Sequence, residues 1–217
     1  MKHKASAAAM AAVMALSLMT GCGSKDTAAN KEFTGNAVIN PEELEEEFKD
    51  IPDLAGDGAQ IYLSDTKAKA GELAEVTMSV KNAENQWNMC GIHIIYPEVL
   101  KPEMSDPAER KVKFKAGEAI ESASGSVCME WQSGLPQVLT DNKQGCIFFT
   151  TMFSGNQGLD GDMATFYFKV PDNAQSGAVY NIGYYYMNTD LFVNEQNIPS
   201  YQKYAFTHMQ GGTITVE

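Results

Sequence analysis

The chain has 217 residues, 44% hydrophobic and 10% aromatic, which is apolar material for one all-β domain with a short appendage. Its formal net charge of −12 argues against nucleic acid or an anionic membrane surface as partner. Eighteen glycines suit a chain of strands and tight turns.

At the amino end, Lys2 and Lys4 precede the apolar run Ala5–Met19, which is too short for a comfortable membrane span. The run ends in Leu18-Met19-Thr20-Gly21-Cys22, which resembles the lipobox of bacterial lipoproteins, with Met19 where leucine is usual. That resemblance implies a signal peptide over residues 1–21, cleavage behind Gly21 and lipid attachment at Cys22; ordinary secretion is the alternative. Loss of Lys2 and Lys4 takes the net charge of −12 to −14 in the mature chain. A diacylated cysteine inserts two acyl chains, enough for stable anchoring. Residues 22–57 then read as a tether. Gly23–Asn36 is small and polar, and Asn40-Pro41-Glu42-Glu43 offers a helix cap, a proline at the first helical position and acids in the first turn. A short acidic helix is expected from about Pro41 to Lys49, with Leu44 and Phe48 on one face.

From residue 58 the pattern changes to strands. Ile61 and Leu63 alternate with Tyr62 and Ser64, and a turn at Lys69–Gly71 follows. Leu73–Lys81 places Val76, Met78 and Val80 on one face and Glu75, Thr77, Ser79 and Lys81 on the other, the alternation of a half-buried strand. Asn88–Tyr96 is apolar on both faces, so each face is expected to meet something. Lys111–Phe114 and Ser126–Gln132 read as further strands, Gly134–Gln144 as a loop and Cys146–Ser154 as a strongly apolar strand. Met163–Val170, the tyrosine-rich Val179–Met187 and Gly212–Glu217, with Ile214 and Val216 inward, complete nine strands without a long helix. That count and spacing predict an all-β sandwich over residues 58–217.

The order of motifs resembles a cohesin domain. A short opening strand, then AGELAEVTMSV, then an apolar strand running into YPEVLKPEM match the family's beginning, with Ala70-Gly71-Glu72 and Pro97-Glu98 as departures. ATFYFKVPDNAQSGAVYNI and GGTITVE are similar to its last three strands. The resemblance implies a nine-stranded jelly roll with first and last strands paired. It also implies a cellulosome-type module that binds dockerins, whose own loops carry the calcium. In the family the dockerin lies on one sheet. Transferred to this chain, Cys90, Ile92, Ile94 and Tyr96 point inward, while Met89, Gly91 and His93 point at the partner. Ile147, Phe149 and Thr151 are expected outward beside them, followed by the turn Ser154-Gly155. The opposite phase, with Cys146, Phe148 and Thr150 outward, stays open because that strand is apolar on both sides.

Other chemistry has thinner support. Cys90, Cys128 and Cys146 fall in strands that the resemblance places side by side, as buried thiols or with one disulfide among them. No Cys-x-x-Cys or His-x-x-x-His spacing indicates a metal site with His93. Neither His93 nor His208 belongs to a catalytic signature, and Glu130 and Asp162 are ordinary acids, so no enzyme is expected. Asp160-Gly161-Asp162 reads as a turn, lacking the oxygen set of a calcium loop. The alternative function is a lipid-anchored carbohydrate-binding sandwich using Tyr184, Tyr185, Tyr186 and the two tryptophans, although alternation turns Tyr185 away from its neighbours.

Overall fold

The computed structural model describes residues 59–187, 190–194, 202–203 and 206–217. The signal peptide, the lipidation site Cys22, the tether with its expected helix and the side chain of His208 lie outside the described residues. In chain order the strands are β1 (Ala59–Leu63), β2 (Thr66–Ala68), β3 (Leu73–Lys81), β4 (Met89–Pro97), β5 (Lys101–Pro102), β6 (Met104–Asp106), β7 (Lys111–Val112) and β8 (Phe114–Ala116). They continue as β9 (Gly125–Glu130), β10 (Gln144–Met152), β11 (Gly161–Lys169), β12 (Val179–Tyr184), β13 (Leu191–Asn194), β14 (Gln202–Lys203), β15 (Phe206–Gln210) and β16 (Gly212–Val216). A 3-10 turn at Glu118–Ile120 and one short helix, α1 (Gln137–Asp141), are the helical pieces among the described residues.

Two curled sheets pack as a jelly-roll β-sandwich. The smaller has the order β15-β1-β3-β11-β5, with β8 also on β11. The larger runs β2-β16-β12-β4-β10-β9-β7-β6, with β13 on β4 and β14 on β13. The chain has more strand segments than the nine expected because several strands divide between the sheets. The opening strand breaks after Leu63: β1 pairs with β3 and β15 in one sheet, β2 with the closing strand β16 in the other. A Cβ on Gly212 would lie 2.1 Å from the Ser64 carbonyl oxygen, so this crossing requires glycine there. The expected strand Lys111–Phe114 divides likewise, β7 pairing with β9 and β8 with β11.

Alternation builds the core. Val76, Met78 and Val80 of β3 and Ala164, Phe166 and Phe168 of β11 are fully buried, facing Cys90, Ile92, Ile94 and Tyr96 of β4. Aromatic rings join the layers: Phe168 meets Tyr96 at 5.0 Å and Phe166 meets Phe149 at 5.7 Å between centroids. Each such side chain contributes roughly 1.5–3 kcal/mol by burial. Ile214 and Val216 of β16 point inward as expected.

One expectation reverses. Ile147, Phe149 and Thr151 do not face outward; all three are buried on the inner face of β10. Phe149 packs edge-on to Phe114 at 5.4 Å, and the Thr151 hydroxyl shares a 2.7 Å hydrogen bond with Ser126. Cys146, Phe148 and Thr150 therefore take the outer face. The ladder explains why: Ile147 lies opposite Ile94 and Phe149 opposite Ile92, both core residues of β4. Phe149→Ala is expected to cost about 3–5 kcal/mol in urea unfolding. Phe148→Ala is expected to cost roughly 1 kcal/mol, the pair of midpoints reporting which ring is core.

Candidate protein-interaction face

The outer face of the larger sheet is a grid set by the registers of β4, β10 and β9. Its first row is Met89, Met152 and Gly125; its second is Gly91, Thr150 and Val127; its third is His93, Phe148 and Met129. Ile95 and Cys146 start a fourth row, which Trp131 joins through its N–H to the Cys146 carbonyl at 2.9 Å. None of these positions carries an Asp, Glu, Lys or Arg, although the chain as a whole has a net charge of −12. Met152 is 47% exposed and Met129 38%, while Met89, Val127, Phe148 and Thr150 are half-buried. The Phe148 ring leans over Gly91, where a Cβ would stand 3.1 Å from its Cζ. Ser154 and Gly155, exposed and half-buried, follow β10 at the methionine end.

The other end of the face is roofed by the chain itself. Ile95, Cys146 and Tyr185 form a second apolar cluster with Leu139 of α1, joined by Trp131, Leu135 and Met187. The expected strand Val179–Met187 stops at Tyr184 because Tyr185 turns onto this cluster; β13 later resumes pairing with β4 at Gly91. Between the two ends lies His93. It is on the outer face as expected but fully buried, so it is not presented to a partner. Its Nδ1 lies 2.5 Å from Asp190 Oδ1, with Trp131 and Phe148 rings at 5.0 and 4.6 Å. Asp190 Oδ2 also accepts the backbone N–H groups of His93 at 3.4 Å and Met187 at 3.3 Å. Burial holds the Asp190 carboxyl above its usual range, against the lowering pull of its bonds to His93.

The remaining candidates are structural. Cys90, Cys128 and Cys146 are free and buried. Cys90 and Cys128 both face the core but sit on strands flanking β10, about 9–10 Å apart by sheet spacing, beyond disulfide reach. Cys146 points to the opposite cluster. Burial pushes all three thiols up, which leaves them protonated and poor nucleophiles. Asp160 accepts the N–H groups of Asn82 at 3.0 Å and Ala83 at 2.8 Å, and Asp162 accepts the Ser79 hydroxyl at 2.6 Å. These acids close a turn. Among the described residues, no three His, Cys, Asp or Glu side chains converge as a metal site. Tyr184, Tyr185, Tyr186 and Trp87 are buried and Trp131 half-buried, so they form no exposed stacking row.

Met89 and Gly91 share the outer side of β4; Met89 is half-buried there, whereas Gly91 is buried beneath the Phe148 ring and is not presented to a partner. Sequence reading had not found Val127 and Met129 of β9, Met152 of β10, or the buried pairing partner Asp190. Val127 and Met129 alternate with the core residue Cys128, a signal that needed the β9–β10 register to be read.

No protein-family model and no curated protein matches the chain. Solved structures do. A type III cohesin module from the cellulosomal ScaE cell-surface anchoring scaffoldin of Ruminococcus flavefaciens superimposes with a TM-score of 0.57 at 20% identity, over 73% of this chain and 87% of that one. The third ScaC cohesin of Acetivibrio cellulolyticus, solved with the ScaB dockerin, gives 0.52 at 20% identity, over 73% and 98%. A cohesin from a type I cohesin–dockerin complex of Clostridium thermocellum gives 0.50 at 17% identity, over 73% and 99%. The domain has the cohesin fold.

The Asp190 pair makes a pH-resolved expectation. A carboxyl whose pKa is higher folded than unfolded stabilises the fold while protonated, and the contribution fades as pH rises through the folded value. Asp190→Asn, uncharged throughout, is therefore expected to compare best with the native protein near neutrality and worst toward the ordinary carboxylate range, about pH 4. Asp190→Ala, which strands the N–H groups of His93 and Met187, is expected to lose about 1–3 kcal/mol at both. Urea midpoints of the three proteins at the two pH values check this.

Proposed function

We propose that the protein is a non-catalytic module that binds dockerin-bearing proteins and holds them at a bacterial surface through a lipid on Cys22. One observation carries the reading: on a cohesin fold, the sheet face formed by β4, β10 and β9 is an uncharged apolar patch, open at its methionine end. Exposed apolar groups gathered in one patch mark an interface more often than scattered ones do. The contact set follows the corrected phase: Met89, Val127, Met129, Phe148, Thr150 and Met152, with Ser154-Gly155 at the rim and Gly91 buried beneath the Phe148 ring. Methionines suit such a surface because their unbranched thioethers repack against different partners. Ile147, Phe149 and Thr151 support this face from below, and His93, on the face but buried against Asp190, does not touch the partner. Calcium, in this reading, belongs to the dockerin.

The test is binding to dockerin-bearing proteins from the host secretome by calorimetry. Met152→Asp together with Thr150→Lys is expected to weaken binding by about a hundredfold or more, with the thermal midpoint little changed. Retained affinity in the double variant would place the partner elsewhere. The carbohydrate alternative lacks support from the stacking aromatics named for it, which are buried or half-buried. Anchoring has its own test: Cys22→Ala should move the protein from the membrane fraction to the medium or leave an uncleaved precursor. A matured variant still held in the membrane would contradict the anchor.

A further inference from the structure

The outer face carries three thioethers, those of Met89, Met129 and Met152. Met89 and Met152 are directly opposite one another across β4 and β10, and Met129 lies opposite Phe148 two rows along. Met152 and Met129 are 47% and 38% exposed, whereas Met78 and Met163 are fully buried in the core. Beside Met152, across β9, stands Gly125, around which a Cβ would meet nothing within 4 Å, so that side of the thioether is open. No Asp, Glu, Lys or Arg stands on the outer face of β4, β10 or β9, although Lys111 of β7 lies opposite Met129, so contact with a partner around Met152 depends mainly on apolar matching.

We propose that Met129 and Met152 are oxidation sites that control the binding strength of this face, an inference that rests on the dockerin-binding reading. The reaction is with a peroxide. The thioether sulfur gives an electron pair to one peroxide oxygen, an S–O bond forms, the O–O bond breaks, and with hydrogen peroxide a proton shift releases water. Sulfur is oxidised by two electrons and the peroxide reduced by two. The product sulfoxide is polar and chiral, so it carries water into a contact built from apolar surface. Reduction by methionine sulfoxide reductases restores the thioether. The core is untouched, because both sulfurs stand outside it; the same fold therefore has a binding and a weakly binding state.

The experiment treats the mature full chain with hydrogen peroxide, quenches it, and measures binding to immobilised dockerin-bearing proteins of the host secretome. Peptide masses report which methionines have gained oxygen. Met129 and Met152 are expected to oxidise well before Met78 and Met163, affinity to fall by about tenfold or more, and the thermal midpoint to hold. The double variant Met129→Leu, Met152→Leu, apolar and of similar volume but without sulfur, is compared with itself: whatever its starting affinity, peroxide treatment should leave that affinity unchanged. Reductase treatment should restore the native protein. Affinity unchanged with both sites oxidised, core methionines oxidising as fast, or equal loss in the leucine variant would each overturn the proposal. If the untreated protein binds no dockerin-bearing partner, the binding reading itself fails and takes this inference with it, an outcome distinct from binding that oxidation does not alter.

Discussion

The pairing of β4 with β10 is the constraint on which the rest of this domain depends. Nine consecutive residue pairs, from Pro97 with Gln144 to Met89 with Met152, lock two strands that are apolar on both faces. In a strand with one polar face, water itself selects the register, since a one-residue slip would expose the core set. Here neither face offers that penalty, and selection falls to shape. Ile92, Ile94 and Phe149 fit against Phe166 and the neighbouring strands of the smaller sheet, whereas Phe148, lying over Gly91 and beside His93, fits the outer side. Gly145 adds to this: a Cβ there would stand 2.4 Å from the Tyr96 ring, so only glycine lets that tyrosine lie across β10.

The outer face then solves a second problem, how to keep a wholly apolar sheet surface from being one large exposed patch. Half is roofed by α1, Trp131 and the Tyr185–Met187 segment, which form a small core of their own. The roof is fastened by a buried histidine–aspartate pair rather than by more apolar contact. Such pairs rarely add net stability over a well-packed apolar substitute, because desolvation offsets much of the attraction. What the pair does supply is direction. Asp190 accepts from the His93 ring and from two backbone N–H groups, so the chain that leaves the sheet at Tyr185 returns to one position on β4. The open half leaves Met129 and Met152 exposed, while the closed half is covered by the chain itself.

That division gives the functional reading its form. A surface whose three central strands carry no charged residue on this face offers little orientation through long-range fields, so in the proposed reading recognition rests mainly on contact shape and apolar area. Thioethers adapt to shape at small cost, and they are also the apolar groups most readily made polar by oxidation. In the proposed reading, binding and its chemical control reside in the same few atoms.

Much of this was legible in the chain before any coordinates. Alternation in Leu73–Lys81 and Met163–Val170 determined strands and their buried faces, because a half-solvated strand writes its environment into a period of two. The inward set of β4 was legible through resemblance, and so was the joining of the first and last strands. Three things were decided only by tertiary structure. The phase of Cys146–Met152 could not be read, since Ile147, Phe148 and Phe149 are all apolar and only their partners distinguish them. His93 looked like a surface residue until Asp190, 97 positions later, was brought within 2.5 Å of it. Met129 and Met152 became one surface because β9 and β10 pair, a contact between residues far apart in sequence that no local pattern records.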